Sequence, residues 1–333
     1  MIGRMPDPTA ATAPEAHDAT VPLVLALVDD AGLFPPTALP MDEAVARHRA
    51  DDETAHPVHT GRFLVPASRL DELRQALREG ETFRVGVIAD VPLTDLPDVL
   101  LSLVDDPRLE LAGVEVRLPF GDLQEAVVAV QTALGGTGAP AYVEIPLAQA
   151  EEGRTRAALE AVHRAGLGAK VRCGGVSADL FPTAQQLADV LLAATELDTG
   201  SDAEGDTGSD AGLKGTAGLK GTAGLHHAVR YVDDATGFTH HGFLNILVAV
   251  LRARADAGRD AVLAGLTSDD GASLAAEVRA TDPAEQRAAR DVFVAYGSCS
   301  TATPIEDLAA LGLTTAASVR EERDPTQQID QQQ

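Results

Sequence analysis

Residues 141–175 read AYVEIPLAQAEEGRTRAALEAVHRAGLGAKVRCGG. A short apolar run at 141–146 is followed by an amphipathic stretch at 154–165. A second apolar run at 168–173 then ends in Gly174-Gly175. Short runs of this kind suit strands buried on both faces, and parallel neighbours need a helical crossover between them. The stretch therefore reads as strand, helix, strand. The pattern continues in both directions. Before it, the sequence predicts strands at 22–28, 61–65, 83–89 and 111–118, with helices at 41–49, 70–78, 96–104 and 123–134. After it come a helix at 184–193, a strand at 219–225, an apolar helix at 243–255, a strand at 292–296 and a last helix at 304–311. Eight strand–helix units in sequence predict an α/β fold, a single closed (β/α)8 TIM barrel over 21–318, ahead of an open doubly wound sheet.

Composition bounds what the barrel can do. At 333 residues the chain fits one large domain, and with 45% hydrophobic but only 3% aromatic residues, Ala, Val and Leu must fill the core. A net charge of −25 excludes nucleic acid and anionic membranes as partners, because both demand clustered basic residues. The apolar run at 21–28 is too short to span a bilayer. Residues 1–20 are rich in Pro, Ala and Thr without a signal peptide's apolar centre, so a disordered arm is expected there, with a second disordered tail at 319–333. Cys173 and Cys299 are the only cysteines, which gives no disulfide framework and fits a reducing cytoplasm. A homo-oligomer stays open.

A polar segment beginning DTGSDAEGDTGSD at 198 predicts a flexible insertion over about 198–217. It runs into an exact tandem repeat, GLKGTA at 212–217 and again at 218–223. The second copy leads straight into Gly224 and Leu225, so Lys220 is placed on the seventh strand and Lys214 in the loop; the reverse assignment stays open.

Lys170, Lys214 and Lys220 are the only lysines, whereas arginine is plentiful. Arginine thus serves as the general surface cation, and lysine is kept where an amine that can lose its proton has a use. Barrel active sites form at the C-terminal ends of the strands. The residues expected there are Asp29, Asp30, Asp90, Arg117, Glu144, Lys170, Arg172, Lys220, His226 and Ser298. Two ammonium groups on neighbouring strands repel, and desolvation adds to the effect, so one amine is expected to be free to attack a carbonyl. The alternative is plain ion pairing of these cations with Glu144 or Asp29.

Three segments carry a family resemblance. Lys170-Val171-Arg172-Cys173-Gly174-Gly175 resembles the Lys-x-x-x-Gly segment of class I deoxyribose-phosphate aldolases. Lys220-Gly221-Thr222-Ala223-Gly224-Leu225 resembles their Lys-Ala-Ser-Gly-Gly-Ile segment, and Tyr296-Gly297-Ser298-Cys299-Ser300 their Gly-x-Ser phosphate turn. The resemblance covers the last three strands. It implies a Schiff base on Lys170, a Lys220 that lowers its pKa, and no cofactor. It also implies phosphate or another anion held by the turns at Gly221–Gly224 and Gly297–Ser300. With the strand-end reading, the expected substrate- and anion-binding residues are Asp29, Arg117, Arg172, Gly174, Gly175, Gly224, Gly297, Ser298 and Ser300. Exposed backbone N–H groups and the start of the last helix suit an anion, although such glycines also serve ordinary loop geometry. The family's catalytic aspartate on an earlier strand has no match here; strand four offers Glu115 and Arg117, and strand five offers Glu144.

The histidine pairs His226-His227 and His240-His241 give the competing reading, a metal-dependent hydrolase or lyase. Adjacent histidines on a strand point to opposite sides, and no His-x-His or His-Glu-x-x-His spacing occurs, so no metal is expected. His226 is a better candidate as a proton carrier beside Glu144. Cys173 and Cys299, both at strand ends, are either reactive thiols or small packed residues. The expectation is an aldolase-like lyase acting on a small, optionally phosphorylated carbonyl compound, with a non-catalytic metabolite-binding barrel as the third reading.

Overall fold

The computed structural model describes residues 20–119, 122–145, 147, 153–203 and 218–316. Eight parallel strands close into a barrel: β1 (Val28–Asp30), β2 (His59–Pro66), β3 (Phe83–Ile88), β4 (Leu109–Arg117), β5 (Ala141–Ile145), β6 (Gly168–Arg172), β7 (Leu219–Thr222) and β10 (Phe293–Ser298). They follow chain order around the ring, and β10 closes it between β7 and β1. A two-stranded antiparallel ribbon, β8 (Tyr231–Val232) with β9 (Thr239–His240), lies outside the barrel. The crossovers are α1 (Met41–Thr54), α2 (Leu70–Ala76), α3 (Leu96–Val104), α4 (Leu123–Leu134), α5 (Arg154–Arg164) and α6 (Ala184–Ala203). Four helices then stand between β9 and β10: α7 (Phe243–Arg254), α8 (Arg259–Thr267), α9 (Gly271–Ala280) and α10 (Pro283–Val292). A final helix, α11 (Ala302–Ala310), follows β10. None of the described helices is long and apolar enough to cross a membrane.

The main core lies between strands and helices. Val28, Phe63, Val65, Val85, Val87, Val114, Val116, Val143, Ile145, Val171 and Leu219 all turn outward into it. Small branched side chains dominate, as the low aromatic content requires. The fully apolar stretch of α7 has a separate cause. Every residue from Phe243 to Leu251 is buried because α8, α9 and α10 pack over the side of α7 that would otherwise face water.

Several boundaries differ from the sequence expectation, the larger departures as follows. The run 22–28 is not a strand: Pro22–Val24 form a 3-10 turn, and β1 starts only at Val28. The run is apolar because Leu23, Val24 and Leu27 are completely buried, with the Leu23 N–H donating to Gln286 on α10 at 3.2 Å. The eighth barrel strand runs to Ser298 rather than 296, and the segment before it is three helices that the sequence reading left unassigned. The expected insertion starts late, since α6 continues to Ala203 and Asp198 pairs with Arg254 on α7 at 3.0 Å. Thr20, assigned to the arm, bonds the Thr314 hydroxyl at 2.7 Å. The rest of the arm, the tail, Lys214 and the first GLKGTA copy lie outside the described residues.

Candidate active site

Strand alternation decides which side chains enter the barrel. On β4 the outward Val114 and Val116 leave Glu115 pointing in. By the same rule Tyr142 and Glu144 point in from β5, Lys170 and Arg172 from β6, and Lys220 from β7. On β1 the rule separates two neighbours. Asp29 faces in, where Lys220 and Arg62 meet it. Asp30 faces out and is held by Arg47 and His48 of α1, so it ties that helix to the barrel and is not at the mouth as expected. Burial pushes the Asp30 carboxyl up, but His48 and Arg47 outweigh it and its pKa ends below the ordinary value. Asp90 is spent on a loop, accepting from Ser68 N at 2.9 Å and Ser68 Oγ at 2.5 Å.

Inside the barrel the charges alternate in one chain. Lys220 Nζ lies 2.5 Å from Asp29 Oδ2 and 2.5 Å from Glu115 Oε1. The other oxygen of Glu115, Oε2, lies 2.6 Å from Lys170 Nζ, which also reaches Glu144 Oε2 at 3.3 Å. Arg172 Nε closes the sequence 3.3 Å from Glu144 Oε1. At the other end Asp29 accepts from Arg62 at 3.1 Å and from the Thr60 hydroxyl at 2.7 Å. Side-chain exposure rises along the chain: Asp29 0%, Lys220 1%, Glu115 4%, Lys170 7%, Glu144 14%, Arg172 38%. Exposure is thus lowest at Asp29 and Lys220 and rises both toward Arg172 and toward Arg62, which is 14% exposed, and of the two amines Lys170 is the one nearer solvent.

Such an interior is unusual for this fold, where bulky branched residues normally fill the barrel. Buried charges cost several kcal/mol each unless paired, and here each has an opposite charge within reach. Burial pushes Glu115 up, but Lys170 and Lys220 bring it down to about 2. Glu144 is likewise held below the ordinary carboxylate value, with Lys170 and Arg172 outweighing burial. Burial would lower Lys220, yet Asp29 and Glu115 raise it above the ordinary lysine value. The expected mutual repulsion of the lysines therefore does not govern Lys220, because a carboxylate stands between the two ammonium groups. Burial raises the pKa of Tyr142, whose ring centroid is 5.0 Å from Lys220 Nζ.

The Glu115 shift has a measurable consequence. Its folded pKa is depressed, so its contribution is present above the unfolded value near 4.5 and is lost as pH falls toward about 2. The loss is on the order of 3 kcal/mol from this one group. Urea midpoints measured from pH 5 down to pH 2 should fall steadily in wild type. Glu115→Gln, less stable throughout, should show a shallower fall; parallel slopes for the two proteins would remove Glu115 as the titrating group.

No known protein-family model matches the chain, and no curated protein matches it. The reading of the site therefore rests on its own geometry.

The remaining expected residues divide clearly. Arg117 and Glu144 are in register at the ends of β4 and β5, so Arg117 points into the same mouth. Gly224, at φ +75°, packs directly on Gly174: a Cβ on Gly224 would lie 2.8 Å from the Gly174 Cα and 2.9 Å from the Cys173 carbonyl oxygen. These two glycines let the β6 and β7 loops cross in contact, and Gly175 accommodates Leu180 in a similar way. Gly297 lies against Leu64, 3.0 Å from its Cδ1 by the same measure. Ser298 Oγ donates to the Ser300 carbonyl at 2.6 Å, and Ser300 Oγ accepts from Thr303 N at 3.2 Å, so one hydroxyl is engaged within the turn and the other with the first turn of α11.

His226 meets Cys299, 3.7 Å from Nδ1 to Sγ, and the His240 ring at 5.4 Å, and so belongs to a cluster over β7 rather than to the carboxylate–lysine chain. Burial lowers its pKa. His227 pairs with Asp307, His240 bonds the Gly224 carbonyl, and His241 the Pro182 carbonyl. The four rings have separate partners, and among the described residues no group of three His, Cys, Asp or Glu side chains is placed to hold a metal. Cys173 is fully buried and its thiol is pushed up to about 12, as suits a packed residue.

Two central groups were hard to find in the sequence. Glu115 stood among several acidic options, and Arg62 was not singled out. The available signal was a charged residue flanked by apolar ones on a short strand, Val114-Glu115-Val116 and Arg62-Phe63-Leu64-Val65, which marks an inward position once the barrel closes.

Proposed function

We propose that the protein is a Schiff-base lyase of the class I aldolase kind, with Lys170 as the nucleophile. One observation carries the reading: two inward lysines on adjacent strands share a single carboxylate, Glu115, with the more accessible lysine toward the mouth. Glu115 holds both lysines in place, and the proton carrier for which the aldolase resemblance offered no match is read here as Glu144. Lys220, held charged by Asp29 and Glu115, supplies a fixed positive charge beneath the reacting amine.

Lys170 must first give up a proton, and Glu144 at 3.3 Å is the acceptor nearest the mouth. The free amine adds to the substrate carbonyl, Glu144 returns its proton to the carbonyl oxygen, which leaves as water, and a protonated C=N bond remains beside an ionised Glu144. Glu144 then removes the proton of a β-hydroxyl on the substrate. The carbon–carbon bond breaks, its electron pair moves into an enamine on Lys170, and an aldehyde departs. Protonation and hydrolysis of the enamine return the amine. The phosphate-turn part of the resemblance gains no support from Ser298 and Ser300, whose hydroxyls are used locally.

The test is borohydride trapping with a panel of small aldehydes and ketones, read by peptide mass spectrometry. A reduced adduct on Lys170 is expected. Absence of any adduct across the panel would overturn the lyase and leave a metabolite-binding barrel.

A further inference from the structure

We infer that the carbonyl substrate is a 2-oxo acid, held by its carboxylate on Arg172 while Lys170 attacks the adjacent carbonyl. The inference rests on the Schiff-base reading and adds the substrate class.

The first support is the sign of the site. Lys170, Lys220, Arg62 and Arg172 face Asp29, Glu115 and Glu144, so the linked groups carry one excess positive charge, and Arg117 points into the same mouth. The chain as a whole carries −25. A positive, partly dry cleft in a strongly acidic protein focuses anions and discourages cations.

The second support is the reach of Arg172. Its only hydrogen bond among the described residues is the single contact of 3.3 Å from Nε to Glu144. A guanidinium has five N–H donors arranged as a fork that fits a carboxylate. Arg172 is also the most exposed member of the chain at 38%, so the rest of its fork is open to a ligand entering the mouth.

The third is spacing. Lys170 Nζ and Arg172 Nε lie 3.3 Å from opposite oxygens of the same Glu144 carboxylate. One carboxylate therefore spans the gap between amine and guanidinium. With guanidinium and amine held this close, a ligand carboxylate on the remaining Arg172 N–H groups suits a carbonyl on the adjoining carbon, as in a 2-oxo acid. A phosphorylated aldehyde has its anion further from the carbonyl. The turn expected to bind such a phosphate has both serine hydroxyls committed.

The experiment compares pyruvate with methyl pyruvate in borohydride trapping on the full chain. Both carry a ketone beside a carboxyl group, and each rate is divided by that of the same compound with a free lysine amine, because the ester's ketone is intrinsically the more electrophilic; the remaining difference is the negative charge. Wild type should label Lys170 with pyruvate at least tenfold faster than with the ester, about 1.4 kcal/mol of discrimination. The ratio should fall toward one in Arg172→Gln, recover in part in Arg172→Lys, and shrink with rising salt in wild type. Equal or faster labelling by the ester in wild type overturns the 2-oxo acid while leaving the Schiff base standing, and needs no variant. Failure of every carbonyl to label sinks the Schiff base instead. Calorimetry with pyruvate then decides the carboxylate site: saturable binding lost in Arg172→Gln keeps it, and no binding to wild type removes it.

Discussion

Glu115→Ala is expected to lower the unfolding free energy by about 3–5 kcal/mol, the range for breaking a buried ion pair and stranding its partners. Glu115 is 4% exposed and holds both Lys170 and Lys220, so its loss leaves Lys220 with Asp29 alone and Lys170 with Glu144 alone. The exposed pair Arg84–Glu110, with side chains 48% and 57% exposed, serves as the comparison. Glu110→Ala should cost no more than about 1 kcal/mol, because solvent screens such pairs. Urea unfolding of both variants measures the difference. A Glu115→Ala cost close to that of Glu110→Ala would mean that water enters the barrel and screens the network, contrary to the burial found.

Lys170→Met is expected to abolish borohydride labelling altogether, while Lys220→Met keeps the adduct on Lys170 and loses stability. The two lysines look equivalent in sequence but differ in what they support. Lys220 is 1% exposed and lies between Asp29, which is fully buried, and Glu115. Its removal costs about 3 kcal/mol or more by the same stranded-charge argument. Lys170 at 7% exposure shares Glu115 with Lys220, and Glu144 keeps Arg172, so Lys170→Met leaves every carboxylate paired. Peptide mapping of the adduct together with thermal unfolding separates the two roles. Labelling of Lys220 in the Lys170→Met protein would exchange the lysines in the mechanism.

The architecture was legible because hydrophobic spacing reports burial directly. Eight short apolar runs alternating with amphipathic stretches place strands and helices within a few residues, and 141–175 alone shows the repeating unit. Local pattern misled where apolar residues served another purpose. Residues 22–28 resemble a strand, but their burial comes from packing against α10. Asp29 and Asp30 resembled a loop after that strand, yet they form it and face opposite ways.

The sequence by itself determined the strand–helix alternation of the barrel, a preference for Lys220 over Lys214 on the strand after that of Lys170, and a net charge of −25. Only the tertiary structure decided that Glu115 stands between Lys170 and Lys220, that Arg62 and Lys220 share Asp29, and that Ser298 bonds within its own turn while Ser300 bonds the start of α11. The physical reason is range. Periodicity is set by neighbours along the chain, whereas the charge network joins β1, β2, β4, β5, β6 and β7 across a closed ring. Its contacts depend on the register between strands, and a register fixed only when the barrel closes leaves no mark on any single strand.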